Sequence, residues 1–342
     1  MVMNVYRQID RNQMQFDFLI KEHVLDGYEQ EIKAMGGNII CVPGPKKIGV
    51  LRYIAQVRRV LLDHSAYCAV HSHVNVISGL IMLAAFLAGI KNRVAHSHST
   101  KFQYPYAVTV LGKILILFFA TQRVACGQEA GKALFGTQKY TVIPNGIDTQ
   151  KYIINSAQER ENAQSRLQFE KNRLHICHVG RFADVKNHRF ILEIVEQLNR
   201  LGYMCIVHLL GDGDLLDNIK KLASDRQLDN VIFYGNVSNV SDYMKASDVF
   251  IMPSKYEGVP LAVIEAQCAG LMCYLSENVP NEVDLGIGCI EYLPLEVDRW
   301  VDRIASCFVK QLPKVKHDDL IDAINKSEFD IHSSSKKMLA LY

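Results

Sequence analysis

Short β-branched runs alternate with helix-length stretches from one end of this chain to the other, with no hairpin signal between them. Strands that never meet their neighbour through a tight turn must be joined by crossovers, so the chain is restricted to parallel sheets covered by helices. In the first half the strands are expected at residues 16–20, 38–42, 69–73, 93–98, 123–126 and 141–143. Between them lie segments such as 51–62, where Leu51, Ile54, Val57 and Leu61 recur at helical spacing. The turn Ile143-Pro144-Asn145-Gly146-Ile147-Asp148 and a polar stretch over 149–172 follow, and that stretch is the expected domain boundary. The pattern then restarts, with strands expected at 174–179, 204–210, 231–234, 249–252 and 271–275 and helices over 189–201 and 260–269. With 342 residues the chain exceeds the roughly 250–300 at which one core stops growing, so two α/β domains are expected.

Composition narrows the function classes. Hydrophobic residues make up 49% and charged residues 22%, a folding composition, and 38 basic against 36 acidic residues give no drive toward nucleic acid. Nine cysteines without a C-x-x-C pair read as small buried thiols in a reducing compartment, Cys41 and Cys177 among them. Arg7, Asp10 and Arg11 near the start do not suit a signal peptide, and a cytoplasmic protein is expected. Two apolar segments, 79–90 and 104–120, are too short or too interrupted to span a bilayer. Both are expected to be helices packed on a sheet, the second with a peripheral contact at the inner face of the membrane left open.

Polar residues just after parallel strands are where ligands bind. Gly180-Arg181-Phe182-Ala183-Asp184-Val185-Lys186 follows one strand and precedes a helix, which brings Arg181 and Lys186 close enough to share one anion; a solvated basic loop is the competing reading. The second stretch runs from Pro253 through Ser254, Tyr256, Glu257, Gly258 and Val259 to Pro260, at the first turn of a new helix whose amides would point at an anion. Glu265 follows in that otherwise apolar helix; it needs a partner, and sugar hydroxyls or a structural ion pair would serve.

Glu257 and Glu265 form E-x7-E; with Arg181, Lys186 and the Ile143–Asp148 turn upstream, the chain resembles the retaining GT-B glycosyltransferases of family 4. Segments 3–7, 15–18, 70–73 and 95–99 are similar to the members that assemble bacterial capsules and exopolysaccharides. The resemblance implies two facing Rossmann-like domains, an acceptor-binding one over 1–148 and a donor-binding one over 149–327, with a last helix over 328–342 crossing back to the first. It implies a nucleotide-sugar donor, UDP-linked on family grounds, a saccharide or lipid-linked acceptor, and transfer with retention. Arg181 and Lys186 would neutralise the diphosphate in place of a metal ion, so that no cofactor is needed. Glu265 would bind the ribose, Glu257 the donor sugar, and the Gly258 and Val259 amides the phosphate and sugar, with Gly180, Ser254 and Pro260 in the same donor set. Gly235, Asn236 and Val237 would hold the base.

The pairs His71/His73 and His96/His98 each face one way along a strand end, which admits a metal site or ordinary half-buried histidines. The resemblance adds a third reading, His98 facing the donor sugar, with His96 as alternative and Ser99 beside them on the acceptor side. Gly211-Asp212-Gly213-Asp214 contains D-x-D but reads as a glycine turn capping the next helix, not a metal site. Family members begin with a strand and a glycine-rich loop ahead of the helix that Met3–Ile9 resembles, and the sequence starts inside that helix. An impaired nucleotide-sugar-binding protein or partner subunit is therefore an alternative, and a nucleotide-sugar epimerase another. A nicotinamide oxidoreductase is discounted, since no G-x-G-x-x-G follows a strand.

Overall fold

The computed structural model describes residues 2–23, 27–64, 66–309 and 316–342, and the chain divides into two compact units. Unit 1 holds the chain up to Gly146 together with Ile331–Tyr342; unit 2 is Ile147–Asp330. All pairing between named strands is parallel.

In unit 1, β1 (Phe18–Ile20) pairs β2 (Ile39–Cys41), and a separate four-stranded sheet runs β3 (Ala69–Ser72), β4 (Asn92–Ser97), β5 (Gln122–Ala125), β6 (Thr141–Val142) in that order. In unit 2, β7 (Leu174–Val179), β8 (Cys205–Leu210), β9 (Val231–Gly235), β10 (Val249–Met252), β11 (Met272–Ser276) and β12 (Ile290–Leu293) form one sheet in the order β12-β11-β10-β7-β8-β9. Every expected strand is present within two residues at either end. β12 is the addition: an edge strand paired only with β11 and carrying Glu291, too half-buried to leave an apolar run in the sequence.

β8 and β10 are buried throughout because helices cover both faces of the unit 2 sheet. On one face Ile191, Ile194 and Leu198 of helix His188–Arg200 meet Trp300 and Ile304 of helix Val297–Val309. On the other, Val263 and Ile264 of helix Leu261–Cys268 pack with Met244, Phe250 and Ile324. Each fully buried isoleucine here contributes roughly 1.5–3 kcal/mol.

Two expectations need correction. The boundary falls between Gly146 and Ile147, just ahead of the polar 149–172 stretch, which itself belongs to unit 2: Ala157–Arg166 is a helix, capped by Ser156 and bound through Arg160 to Asp248 (2.6 Å) and through Gln164 to the Ala246 carbonyl (3.0 Å). Its polarity reflects hydrogen bonding to a neighbouring loop, not solvent exposure alone. Helix Tyr106–Phe119 lies on helix Ser78–Leu87, where a Cβ on Gly79 would come within 2.5 Å of the Gly112 carbonyl; of its residues Gly112 and Ile116 are buried, and Ile116 shares one core with Ala95 and Ala125 of the sheet. Cys41 and Cys68 are exposed, not buried, because both sit at the margins of short strands; six of the nine thiols are buried.

The two crossings between units lie side by side in sequence register. Ile147 bridges Asp330 and donates its N–H to the Phe329 carbonyl (2.8 Å), and Thr149 Oγ1 donates to Asp330 (3.1 Å). Within unit 1, a Cβ on Gly146 would stand 1.9 Å from Ser334 Oγ and 2.9 Å from the Ile331 backbone. Gly146→Ala is therefore expected to destabilise unit 1 by about 1–3 kcal/mol, the cost of overpacking a close backbone approach. Chemical denaturation checks this, and an unshifted midpoint would contradict it.

Candidate donor site at the sheet switch point

β7 neighbours both β8, which follows it, and β10, which arrives from the other side. The crevice beyond the carboxyl ends of β7 and β10 is thus a topological switch point, where the two following loops diverge and leave room for a ligand. Both candidate stretches of the sequence empty into it.

After β7 the chain passes Gly180 and Arg181, makes a 3-10 turn over Asp184–Lys186, and enters helix His188–Arg200 through Asn187 in the left-handed region (φ 57°). Asparagine tolerates that conformation, and its Nδ2 donates to the Pro253 carbonyl after β10 (3.2 Å), tying the two loops together. The Lys255 N–H donates to the Val185 carbonyl (2.8 Å), a second tie. Lys186 Nζ lies 2.7 Å from Glu257 Oε1, with side chains only 17% and 11% exposed. Gly180 stands behind this pair: a Cβ there would meet His178 Nε2 at 3.1 Å and Lys186 Cδ at 3.2 Å.

Arg181 is on the outer side, exposed and 3.2 Å from the equally exposed Asp214. Such a pair is worth about 0–1 kcal/mol, so the guanidinium is available to a stronger anion. Arg181 lines a cavity of about 810 Å3 at the ends of β7, β8 and β9, together with Gly180, the Gly211–Asp214 turn, and Gly235, Asn236 and Val237. The D-x-D turn gives helix Leu216–Asp225 no side-chain cap; its Gly213 carbonyl accepts from the Leu216 N–H (3.0 Å). Its glycines answer to packing: Gly211 (φ 136°) would drive a Cβ to 2.1 Å from the Gly180 carbonyl, and Gly213 (φ 154°) to 2.6 Å from that of Phe182. Asp212 and Asp214 thereby line the cavity, a placement that sequence reasoning missed.

Gly258, Val259 and Pro260 complete the loop before helix Leu261–Cys268, with Pro260 as its N-cap. They do not line the cavity; they belong with Lys186 and Glu257 on the β10 side. Ser254 is fully buried, its carbonyl accepting from Ser276 Oγ (2.5 Å), and its own Oγ has no partner among the described residues. Glu265 is half-buried, and burial pushes its carboxyl above the usual range, while a hydrogen bond from the Tyr152 hydroxyl pulls it down. Tyr152, four residues beyond the Ile143–Asp148 turn, is a second residue that sequence reasoning missed.

In unit 1 the register His71↔Val94 puts His71, His73, His96 and His98 on one face of the sheet. His71 Nε2 is 3.1 Å from His96 Nδ1, and His73 Nδ1 is 2.9 Å from His98 Nε2. Burial lowers all four, His71 to about 3 and His98 to about 4, so they are neutral at physiological pH. His96 is sealed inside β4, whereas His98, just past the strand end, is half-buried with its N–H on Asn75 Oδ1 (3.0 Å); Asn75 also reaches Ser99 Oγ at 3.5 Å. Only His98 of that pair is open to a ligand.

Residues 159–284 match the family described as glycosyl transferases group 1. The chain is 36% identical over 327 residues to the putative glycosyltransferase EpsF of Bacillus subtilis (strain 168), covering 92% of this chain and 85% of that protein. It is 27% identical over 333 residues to the capsular polysaccharide biosynthesis glycosyltransferase CapH of Staphylococcus aureus, covering 92% and 86%. In fold it is similar to Anabaena Alr3699/HepE, solved in complex with UDP, with a TM-score of 0.77 at 17% identity over 96% of this chain and 99% of that one. The architecture is GT-B, and the chain belongs to the glycosyl transferases group 1 family.

Proposed function

We propose that the protein transfers a sugar from a UDP-sugar to a saccharide or lipid-linked acceptor, with retention at the anomeric carbon, in polysaccharide assembly. The Lys186–Glu257 pair at the β7/β10 switch point carries this reading. It holds a cation at a helix-flanked crevice with a carboxylate already beside it, as a departing diphosphate and a donor sugar require.

In this scheme Arg181 and Lys186 take the diphosphate charge without a metal ion, and Glu257 and the Gly258 and Val259 amides hold the donor sugar. Glu265, oriented by Tyr152, accepts from the ribose, and the base rests on Gly235, Asn236 and Val237. Ser254 and Pro260 shape the same loop, and Gly180 leaves the approach open. Of the unit 1 candidates, His98 and Ser99 are open to a saccharide on the acceptor side, whereas His96 is sealed inside β4. UDP in HepE and the capsular role of CapH support the choice of donor and pathway class. Turnover of UDP-sugars with a saccharide acceptor, followed by proton NMR of the product's anomeric configuration, tests the proposal; inversion would refute the mechanism.

A lipid-linked acceptor suits one further feature. Helix Tyr106–Phe119 exposes Tyr106, Leu111, Ile114 and Phe118, beside Phe86 and Leu87. This supports a peripheral contact with a lipid surface. Leu111→Ser with Phe118→Ser should lower cosedimentation with anionic vesicles by about tenfold or more, since each side chain buried is worth roughly 1.5–3 kcal/mol; equal sedimentation would remove the contact. No helix among the described residues is long and apolar enough to cross a membrane.

A further inference from the structure

His71, His73 and His96 of unit 1 have a property that the transfer reaction does not use. One ring nitrogen from each of His71, His73 and His96 lies within 4.8 Å of the other two. His71 Nε2 and His96 Nδ1, 3.1 Å apart, are close to the separation of about 3.3 Å between two nitrogens on one tetrahedral zinc ion with Zn–N bonds of about 2.0–2.1 Å.

Two of the rings also have an orienting partner on the remaining nitrogen. His71 Nδ1 contacts the Tyr342 hydroxyl at 2.6 Å, and His73 Nδ1 contacts His98 Nε2 at 2.9 Å. Partners of this kind fix ring rotation and tautomer in metal-bound histidines. The rings come from two adjacent strand ends, β3 and β4, so their spacing is set by the sheet and not by a loop. His96 Nε2 is buried without a partner among the described residues, so the cluster does not satisfy itself by hydrogen bonds alone.

We propose that His71, His73 and His96 bind a divalent d-block cation of the zinc class, with one coordination position left open. The ion would join the ends of β3 and β4 and, through the Tyr342 hydroxyl on His71, the last residue of the chain. This site lies within unit 1 and is separate from the metal-free diphosphate chemistry assigned to Arg181 and Lys186.

The test uses the tag-free full-length chain, stripped with chelator and titrated calorimetrically with zinc, then with cobalt to read visible d–d absorption. One equivalent should bind, with the intense absorption of tetrahedral cobalt. His71→Ala and His73→Ala should each lose at least about 100-fold in affinity, and Tyr342→Phe about 10-fold, the range for removing an orienting partner. His71→Gln serves as a second variant, and circular dichroism with thermal unfolding shows whether each variant is folded. Undiminished UDP binding by these variants keeps this result separate from the donor-site reading. No zinc binding by the wild type, or equal binding by folded His71→Ala and His73→Ala, would overturn the proposal and leave a hydrogen-bonded imidazole chain without an ion.

Discussion

Lys186→Ala is expected to lower kcat/KM by about 10²–10³-fold, the loss seen when one preorganised charge-stabilising group is removed from a reacting centre. Lys186 is the most enclosed cation of the candidate site, and its ammonium sits 2.7 Å from a carboxylate that itself keeps little solvent. Removing it has a second effect, because Glu257 is left without its ion partner; that costs up to about 3 kcal/mol, the low end for a buried pair, since both ends remain partly hydrated. Loss of activity alone is therefore ambiguous. The double variant Lys186→Ala with Glu257→Gln separates the two effects, since it removes the stranded charge and should regain most of the stability while turnover stays low. Arg181→Ala should also lose most activity, with little change in stability, because its exposed pair with Asp214 contributes little to folding. Wild-type turnover in folded Lys186→Ala and Arg181→Ala would remove the diphosphate assignment.

Glu265→Gln should weaken UDP binding by about 10–150-fold, the equivalent of roughly 1.5–3 kcal/mol for a hydrogen bond to a charged group, while leaving stability equal or higher at neutral pH. The opposite signs follow from burial. Glu265 is held above the usual carboxyl range chiefly by desolvation, so the folded protein binds a proton there more tightly than the unfolded chain does. Its contribution to stability therefore falls as pH rises from the unfolded carboxyl pKa through the folded one, and above that window the carboxylate is a standing cost. Glutamine removes this cost and still accepts from the Tyr152 hydroxyl. Tyr152→Phe should weaken UDP binding less, since it removes only the orienting partner. Thermal unfolding across pH 4–8 with paired UDP titrations checks both signs; a variant that loses stability and keeps its affinity would mean that Glu265 is a structural acid.

The parallel two-unit architecture could be read from the sequence because each strand is a short β-branched run and no turn admits a hairpin. The candidate donor loops could be located because Arg181, Lys186 and Glu257 come shortly after β7 and β10, where parallel sheets leave a crevice, and Glu265 is a lone acid in an apolar helix. What sequence reading missed depended on register or on contacts distant in the chain. Tyr152 meets Glu265 across more than a hundred residues, and nothing local marks either as the other's partner. Two H-x-H pairs are visible, but their merging into one cluster depends on β3 pairing β4 with His71 opposite Val94. The D-x-D segment reads in sequence as a plain glycine turn and yet lines the cavity, because its glycines are needed for backbone approach to the β7 loop. The helix at Ala157–Arg166 was hidden by its polarity, which serves hydrogen bonds to the Ala246–Asp248 loop.

The central claim is that unit 2 binds a uridine diphosphate at the β7/β10 switch point without help from a metal. Calorimetric titration of the folded chain with UDP and GDP, each with and without magnesium, tests it most directly. The account predicts one UDP per chain, GDP binding weaker, magnesium without effect, and binding lost in Lys186→Ala. Failure of the folded wild type to bind UDP, or binding that requires magnesium, would contradict it.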